Sequence, residues 1–279
     1  VHSRETVADA YQPPEAALPT TLLEALAALP ASKVWAAERV SIEGFAQQVA
    51  ISIIAGSAIA VSNGSLKNSM GTAAYHIEAP VSERASIEGL LQVPGSTRDG
   101  SSHRSELGGL YGIVTVVEAL VQVYGITEGA IEVGCDGESA LRAFDLEYYF
   151  DPQQADFDFL SAIQTSVRAS PLSWKYRHVL GHQDLHNPDQ IDHWAALNIK
   201  MDSMAKAHWQ DIARHPEDRP EQYTGQLHGE GWTIWKDTAK LFCIDRHYLY
   251  ETIHCPKVQD WWVRHGRIPA DSLQRIDWD

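Results

Sequence analysis

The sequence predicts a mixed α/β fold: one sheet, opened by three antiparallel strands and completed by parallel ones, with helices on its faces. Two patterns carry this reading. Three short apolar runs, residues 58–61, 70–77 and 86–93, follow one another with few turn residues between them, as in an antiparallel meander. Beyond residue 100 helical and strand-like patterns alternate, the order that lays helices against a sheet.

The elements follow in order. Residues 1–45 are expected to form a partly disordered lead-in, punctuated by Pro13, Pro14, Pro19 and Pro30, with a short helix over 21–29. Residues 43–55 read as a helix closed by Gly56. The meander comes next, with turns expected at Gly64-Ser65 and Ala79-Pro80. A Gly/Ser/Asp loop over 94–102 leads into the clearest helix, 103–124. There Leu107, Leu110, Val114, Val117, Leu120 and Val121 recur at three-to-four spacing, Ser101 or Ser102 can cap the start, and Gly125 ends it. Residues 130–135 form a compact apolar strand, 137–144 a short helix, 157–168 another helix, 174–180 a strand, and 191–214 a long helix. The predicted core domain is therefore 46–214, with five strands. Residues 215–279 are a small C-terminal extension of unassigned role carrying Trp232, Trp235, Trp261, Trp262 and Trp278. Such tryptophans more often serve a small apolar core or a docking surface than a base-stacking platform.

Composition narrows the class. Of 279 residues 44% are hydrophobic, enough for a core and too many for general disorder. No run of about 18 uncharged apolar residues suggests a membrane span, and the first residues lack a signal-peptide pattern. The chain starts at Val1 rather than Met, so we expect a piece of a longer protein. Three scattered cysteines, Cys135, Cys243 and Cys255, argue against a disulfide framework or a zinc site and favour a reducing, intracellular setting. A net charge of −15 is unusual for a nucleic-acid binder. It is unevenly spread: residues 165–182 hold Arg168, Lys175 and Arg177 and no acid, whereas 145–158 hold Asp145, Glu147, Asp151, Asp156 and Asp158.

Several polar residues occupy positions where chemistry is often found. Asn63 stands at the end of the first predicted strand and Asp136 at the end of the fourth. In a parallel pair such residues converge on one edge of the sheet. Glu106 lies in the first turn of the long helix, which can cross that edge. Asp202 sits within the last helix among residues spaced for a buried face, where an unpaired carboxylate is costly. Gathered acids repel unless divalent cations offset them, and two such ions can activate water and stabilise a leaving oxygen of a phosphodiester. His182, in a polar loop, offers a proton carrier. Each residue has a plainer explanation when taken alone. Asp136 and Asn63-Gly64 suit turns, Glu106 suits a helix start, and Asp202 can pair with Lys206 at i+4. Their joint occurrence, in order, favours the functional reading.

These residues resemble the ribonuclease H domain in the form attached to reverse transcriptases of retroelements. The family pattern is an Asp-Gly-Ser after the first strand, a Glu in the first helix, an Asp ending the fourth strand, a Gly-His loop, and an Asp in the last helix. Here the matching segments are Asn63-Gly64-Ser65, Arg104-Ser105-Glu106-Leu107, Cys135-Asp136-Gly137-Glu138-Ser139, Gly181-His182 and Met201-Asp202-Ser203-Met204-Ala205-Lys206. They span about residues 57–210. The resemblance implies a ribonuclease H-like sheet and cleavage of the RNA strand of an RNA–DNA hybrid. Two Mg²⁺ or Mn²⁺ ions would be held by positions 63, 106, 136 and 202, with His182 assisting catalysis. Candidate substrate contacts are Ser65, Lys67, Asn68, Ser102, His103 and Arg104. Tyr111-Gly112 and the Trp-bearing tail suggest a longer retrotransposon polyprotein. An integrase or transposase is disfavoured, because Glu106 precedes the second acid, whereas those enzymes place a Glu last.

Two departures matter. The acidic stretch 145–158 replaces a basic protrusion found in some family members, which weakens the expectation of tight hybrid binding. Asn63 replaces the Asp that the family uses to bridge both ions. An amide offers one neutral oxygen, and its NH₂ donates but cannot ligate. Shape is nearly unchanged, so the fold is expected to survive while metal affinity and turnover fall. A substitution made to trap uncut substrate and natural decay fit equally. The alternative function is a catalytically inactive nucleic-acid-binding or scaffolding module with the same fold.

Overall fold

A computed structural model describes residues 19–80, 83–95, 100–181, 183, 191–215, 223–231, 233–236, 239–241 and 246–266. The main sheet contains β1 (Arg39–Glu43), β2 (Ala58–Lys67), β3 (Met70–Glu78), β4 (Ser86–Gln92), β5 (Ala130–Cys135) and β6 (Ser173–His178). Their spatial order is β1-β4-β3-β2-β5-β6. Strands β2, β3 and β4 pair antiparallel, while β5 pairs parallel with β2 and β6 parallel with β5. This is the three-then-parallel sheet that the sequence predicts, with a sixth strand added at one edge.

The additional strand comes from the expected lead-in. Residues 39–43 pair antiparallel with β4, and Leu22, Ala25, Leu26, Trp35 and Ala36 ahead of them are buried in the main core. Helix α1 (Leu22–Ala27) begins with a capping box between Thr21 and Glu24. Trp35 stacks on Tyr111 at 5.2 Å between ring centroids, and Tyr75 Oη donates to the Ala36 carbonyl at 3.0 Å. The described part of the lead-in is therefore packed structure. Short α2 (Ala31–Val34) precedes β1, and α3 (Ala46–Ile54) leads into β2.

Strand β2 is longer than predicted. It runs through Gly64-Ser65, and the turn falls at Asn68-Ser69, both with positive φ (50° and 59°). Two such residues make the mirror-image turn whose twist matches a hairpin. Gly64 has another purpose. A Cβ there would lie 2.5 Å from the Glu106 amide nitrogen and the Ser105 carbonyl carbon, so only glycine lets the first turn of α4 (Ser102–Tyr124) rest on the strand.

Helix α4 covers one face of β2 and β3 and α7 (His193–Arg214) the other. By length and hydropathy α4 could cross a membrane, but 72% of its most apolar 18-residue stretch is buried inside the protein, as for a core helix. Of the two residues proposed as its cap, Ser101 acts: its Oγ accepts from the Arg104 amide at 2.9 Å. Residues α5 (Glu138–Leu141) and α6 (Phe157–Ala169) complete the α4 side. Period-two alternation assigns the faces of β2. Ala58 and Ala60 belong to the main core with α4, while Val61 packs with Leu197, Met201 and Ala205 of α7.

The described part of the C-terminal extension is attached to this core. Leu227 is buried in it, Tyr111 Oη donates to the His228 carbonyl at 3.0 Å, and β7 (Ile234–Lys236) pairs with β8 (Ala239–Leu241). On β8, Lys240 Nζ lies 2.6 Å from Glu230 and 3.5 Å from Asp158. By contrast, among the described residues α8 (Arg246–Leu249) and α9 (Cys255–Arg264) contribute none to the two core clusters.

Three stability outcomes follow. Gly64→Ala should destabilise the protein by about 1–3 kcal/mol or more in urea denaturation. Gly231→Ala, where nothing lies within 4 Å of the added carbon, should be close to neutral. Lys240→Met should cost about 3–5 kcal/mol, as expected when one partner of a buried ion pair is removed. An extension independent of the domain would leave the main unfolding transition unmoved.

Candidate active site

The parallel register builds the site. Val61 stands opposite Gly134, so two residues further along each chain Asn63 and Asp136 reach the same level on neighbouring strands, roughly 4.8 Å apart. Asn63 shares its face with Val61 and therefore points beneath α7. It is 5% exposed. Its Nδ2 donates to Asp136 Oδ2 at 3.3 Å and to Asn198 Oδ1 at 3.2 Å. This amide orientation is the one a carboxylate requires, because a carboxylate oxygen only accepts.

Glu106 arrives from the other side. The Gly64 contact seats the first turn of α4 at the sheet edge, and the Glu106 carboxylate lies against Gly137, where a Cβ would meet Oε2 at 1.9 Å. Burial pushes the Glu106 carboxyl up, nearby Asp136 adds repulsion, and its pKa reaches about 7, with His103 opposing the shift. Gly181 closes over Asp136, with room for no Cβ beyond 2.9 Å from Oδ2. His178 Nε2 lies 3.1 Å from the Asp136 carbonyl oxygen.

Asn198 was not among the residues predicted from sequence, although a signal was present. Trp194, Leu197, Asn198, Met201 and Ala205 share one helical face, and Asn198 is the polar member of that stripe. Asp202, the expected fourth acid, lies one turn further along. Its carboxylate pairs with Lys206 Nζ at 2.6 Å, the i+4 pairing, and no hydrogen bond joins it to Asn63, Glu106 or Asp136 among the described residues. His182 lies outside the described residues.

The expected substrate contacts divide. Ser65 and Lys67 follow Asn63 on β2, Asn68 is in the hairpin turn, and Ser102 is exposed at the start of α4. Arg104 is not available to a substrate. It is 2% exposed and forks onto Asp158 with two bonds of 2.8 Å, reaches Asp156 at 3.1 Å, and donates to the Pro94 carbonyl at 2.7 Å. Its guanidinium lies over the Phe159 ring. Arg104 and Lys240 hold the Asp158 carboxyl below its usual range despite burial. His103 Nδ1 meets Asp156 Oδ2 at 2.9 Å, and that bond raises the imidazole pKa. Two acids of the 145–158 stretch are thus neutralised inside the protein rather than presented to a ligand.

The donor chemistry can be tested against the divalent ions that the resemblance implies. Glu106 and Asp136 supply hard carboxylate oxygens. Between them and α7 stand two amides, and Asn63 directs its NH₂, which cannot ligate, at Asp136. Among the described residues no group of three or more His, Cys, Asp or Glu is arranged to hold a metal ion. Two carboxylates and two amides do not fit a pair of divalent cations.

Neither a protein-family model nor a curated protein matches the sequence. Among solved structures, the chain is similar to the N-terminal RNase H domain of Rv2228c from Mycobacterium tuberculosis, with 11% identity and a TM-score of 0.39 over 57% of this chain and 97% of that one. It is also similar to RNase H1 from the halophilic archaeon Halobacterium salinarum NRC-1, with 14% identity and a TM-score of 0.37 over 55% and 98%.

Glu106 makes the site visible in solution. An unfolded glutamate titrates near 4.5 and the folded one near 7, so the folded protein binds the extra proton between those values. Stability should fall as pH rises through that window. Glu106→Gln, which mimics the protonated form, should be more stable than the parent at pH values above the folded pKa. The gap should close toward pH 4.5, read by denaturation with EDTA present.

Proposed function

We propose that this chain is a nucleic-acid-binding domain of the ribonuclease H type, engaging RNA–DNA hybrids at the Glu106–Asp136 edge, with hydrolysis impaired by Asn63. The observation that carries this is the pair of hydrogen bonds from Asn63 Nδ2 to Asp136 and Asn198. An Asp in that position would add a third negative charge beside two carboxylates and draw in cations. The amide instead donates to Asp136 and lowers the charge without them. A phosphate approaching the edge meets less repulsion, while the oxygen set that would organise hydrolysis is incomplete. Hybrid recognition would rely on groove shape, 2′-hydroxyls and phosphates. We assign the domain to an intracellular setting on its three scattered cysteines, and to a longer retroelement polyprotein on the sequence resemblance.

The runner-up is a module that binds without any catalytic ancestry in use. The Asn63–Asp136–Asn198 bonding favours it, since hydrogen bonds made among the buried polar groups themselves are a stable structural feature.

Asn63→Asp separates the two. With Mg²⁺ or Mn²⁺ it should cut the RNA strand of a blunt hybrid at least about a hundredfold faster than the Asn63 protein, given that even residues behind metal ligands are worth about 10–100-fold. Asp136→Ala in that background should abolish the gain. No cleavage after reversion would refute the nuclease reading. Hybrid binding indifferent both to Mg²⁺ and to Asp136→Ala would support the inactive module. Adding Asp202→Asn to the revertant reports whether Asp202 leaves Lys206 to join the site: loss as deep as with Glu106→Gln means that it does.

A further inference from the structure

Beyond the acid edge, the face of β2 that carries Asn63 continues through Ser65 to Lys67, two residues at a time. There it meets the second half of α7 in a groove of about 260 Å³ lined by Ser65, Leu66, Lys67, Lys206, Trp209 and Gln210. The volume is slightly below the roughly 300–1,000 Å³ of small-molecule clefts, which suits one nucleotide and excludes a duplex. Trp209 is held in place: its Nε1 donates to the Lys67 carbonyl at 3.0 Å. The Lys67 ammonium lies over the ring, 4.7 Å from its centroid, so that face of the indole attracts a cation or a flat partner. Lys206, 53% exposed at its side chain, stands at the rim in its ion pair with Asp202 at 2.6 Å, and a phosphate bound there shares its ammonium with that carboxylate. A net charge of −15 makes two cations around an accessible tryptophan a local exception.

We infer that this groove is a subsite for one unpaired nucleotide of a strand that passes the Glu106–Asp136 edge, its base on Trp209 and its phosphate between Lys67 and Lys206. The base must be unpaired, because a base inside a duplex keeps both faces stacked. When it binds, the Lys67 ammonium exchanges the indole for the phosphate. The substrate class is thus a hybrid continuing into a single strand, rather than a blunt one. This rests on the proposed hybrid binding, but not on catalysis.

The test uses the Asn63 protein as it stands, so cleavage does not interfere. Fluorescence anisotropy compares a blunt RNA–DNA hybrid with the same hybrid carrying a single-stranded extension, and the single strand alone serves as a second probe. The extension should tighten binding by about 5- to 100-fold, the usual yield of one stacked base. Trp209→Ala should remove that gain and leave blunt binding as it was, while Trp209→Phe should keep most of it. Lys206→Gln should lower the salt slope of the extended probe by about one. Equal binding of blunt and extended probes, or equal weakening of both by Trp209→Ala with an unchanged melting temperature, would overturn the subsite. Should Trp209→Ala fail to fold, Trp209→Phe and Lys206→Gln decide the matter. A revertant that fails to cut blunt hybrid would refute the nuclease reading and leave the extension result standing.

Discussion

The backbone of α4 touches the backbone of β2 at Gly64, and the candidate site depends on that contact. With Cβ space of only 2.5 Å, the helix start is pressed onto the strand, and Glu106 has nowhere to go but the sheet edge beside Gly137 and Asp136. The same closeness removes water from Glu106 and lifts its pKa to about 7. Further along the seam, Tyr75 fills a slot left by Gly89 and Gly112, where added carbons would meet its ring at 2.0 and 2.5 Å. Close packing of helix on sheet thus sets both the core and the chemistry.

Charge is managed by burial. The chain is acidic, yet Asp156 and Asp158 face inward and meet Arg104, His103 and Lys240. A buried ion pair of this kind is weak evidence for net stability but strong evidence that neither partner can be lost alone. It also links three distant parts of the sequence: the start of α4, the start of α6 and the extension. The extension is consequently fastened beside the helix that presents Glu106.

At the edge itself, one amide changes what the neighbouring carboxylate does. Asp136 accepts a hydrogen bond from Asn63 instead of sharing a cation with it. Asn198, reaching from α7, accepts the second N–H. The result is a less negative surface with less capacity to organise water and metal. The Lys67–Trp209 groove adjoins this surface along β2.

The three antiparallel strands followed by parallel ones, the long core helix, and the placing of Asn63, Glu106 and Asp136 at one sheet edge were legible in the sequence, since period-two and three-to-four patterns are local and each strand end was marked by a polar residue. Asp202's partner was legible too, as one of two choices, because i+4 spacing is a local rule; the tertiary fold chose Lys206. Strand β1 was not, because its alternation is short and its pairing with β4 is long-range. Nor was Arg104, whose position ahead of Glu106 suggested substrate contact until the start of α6 brought Asp156 and Asp158 to it. The turn at Gly64-Ser65 failed for a related reason. Glycine signals a turn or a close approach equally well, and only the helix lying on it distinguishes them. The sequence by itself determined which residues have the chemistry and which elements carry them. The tertiary structure decided which of them meet, because burial and packing across distant segments, not local pattern, choose each polar group's partner.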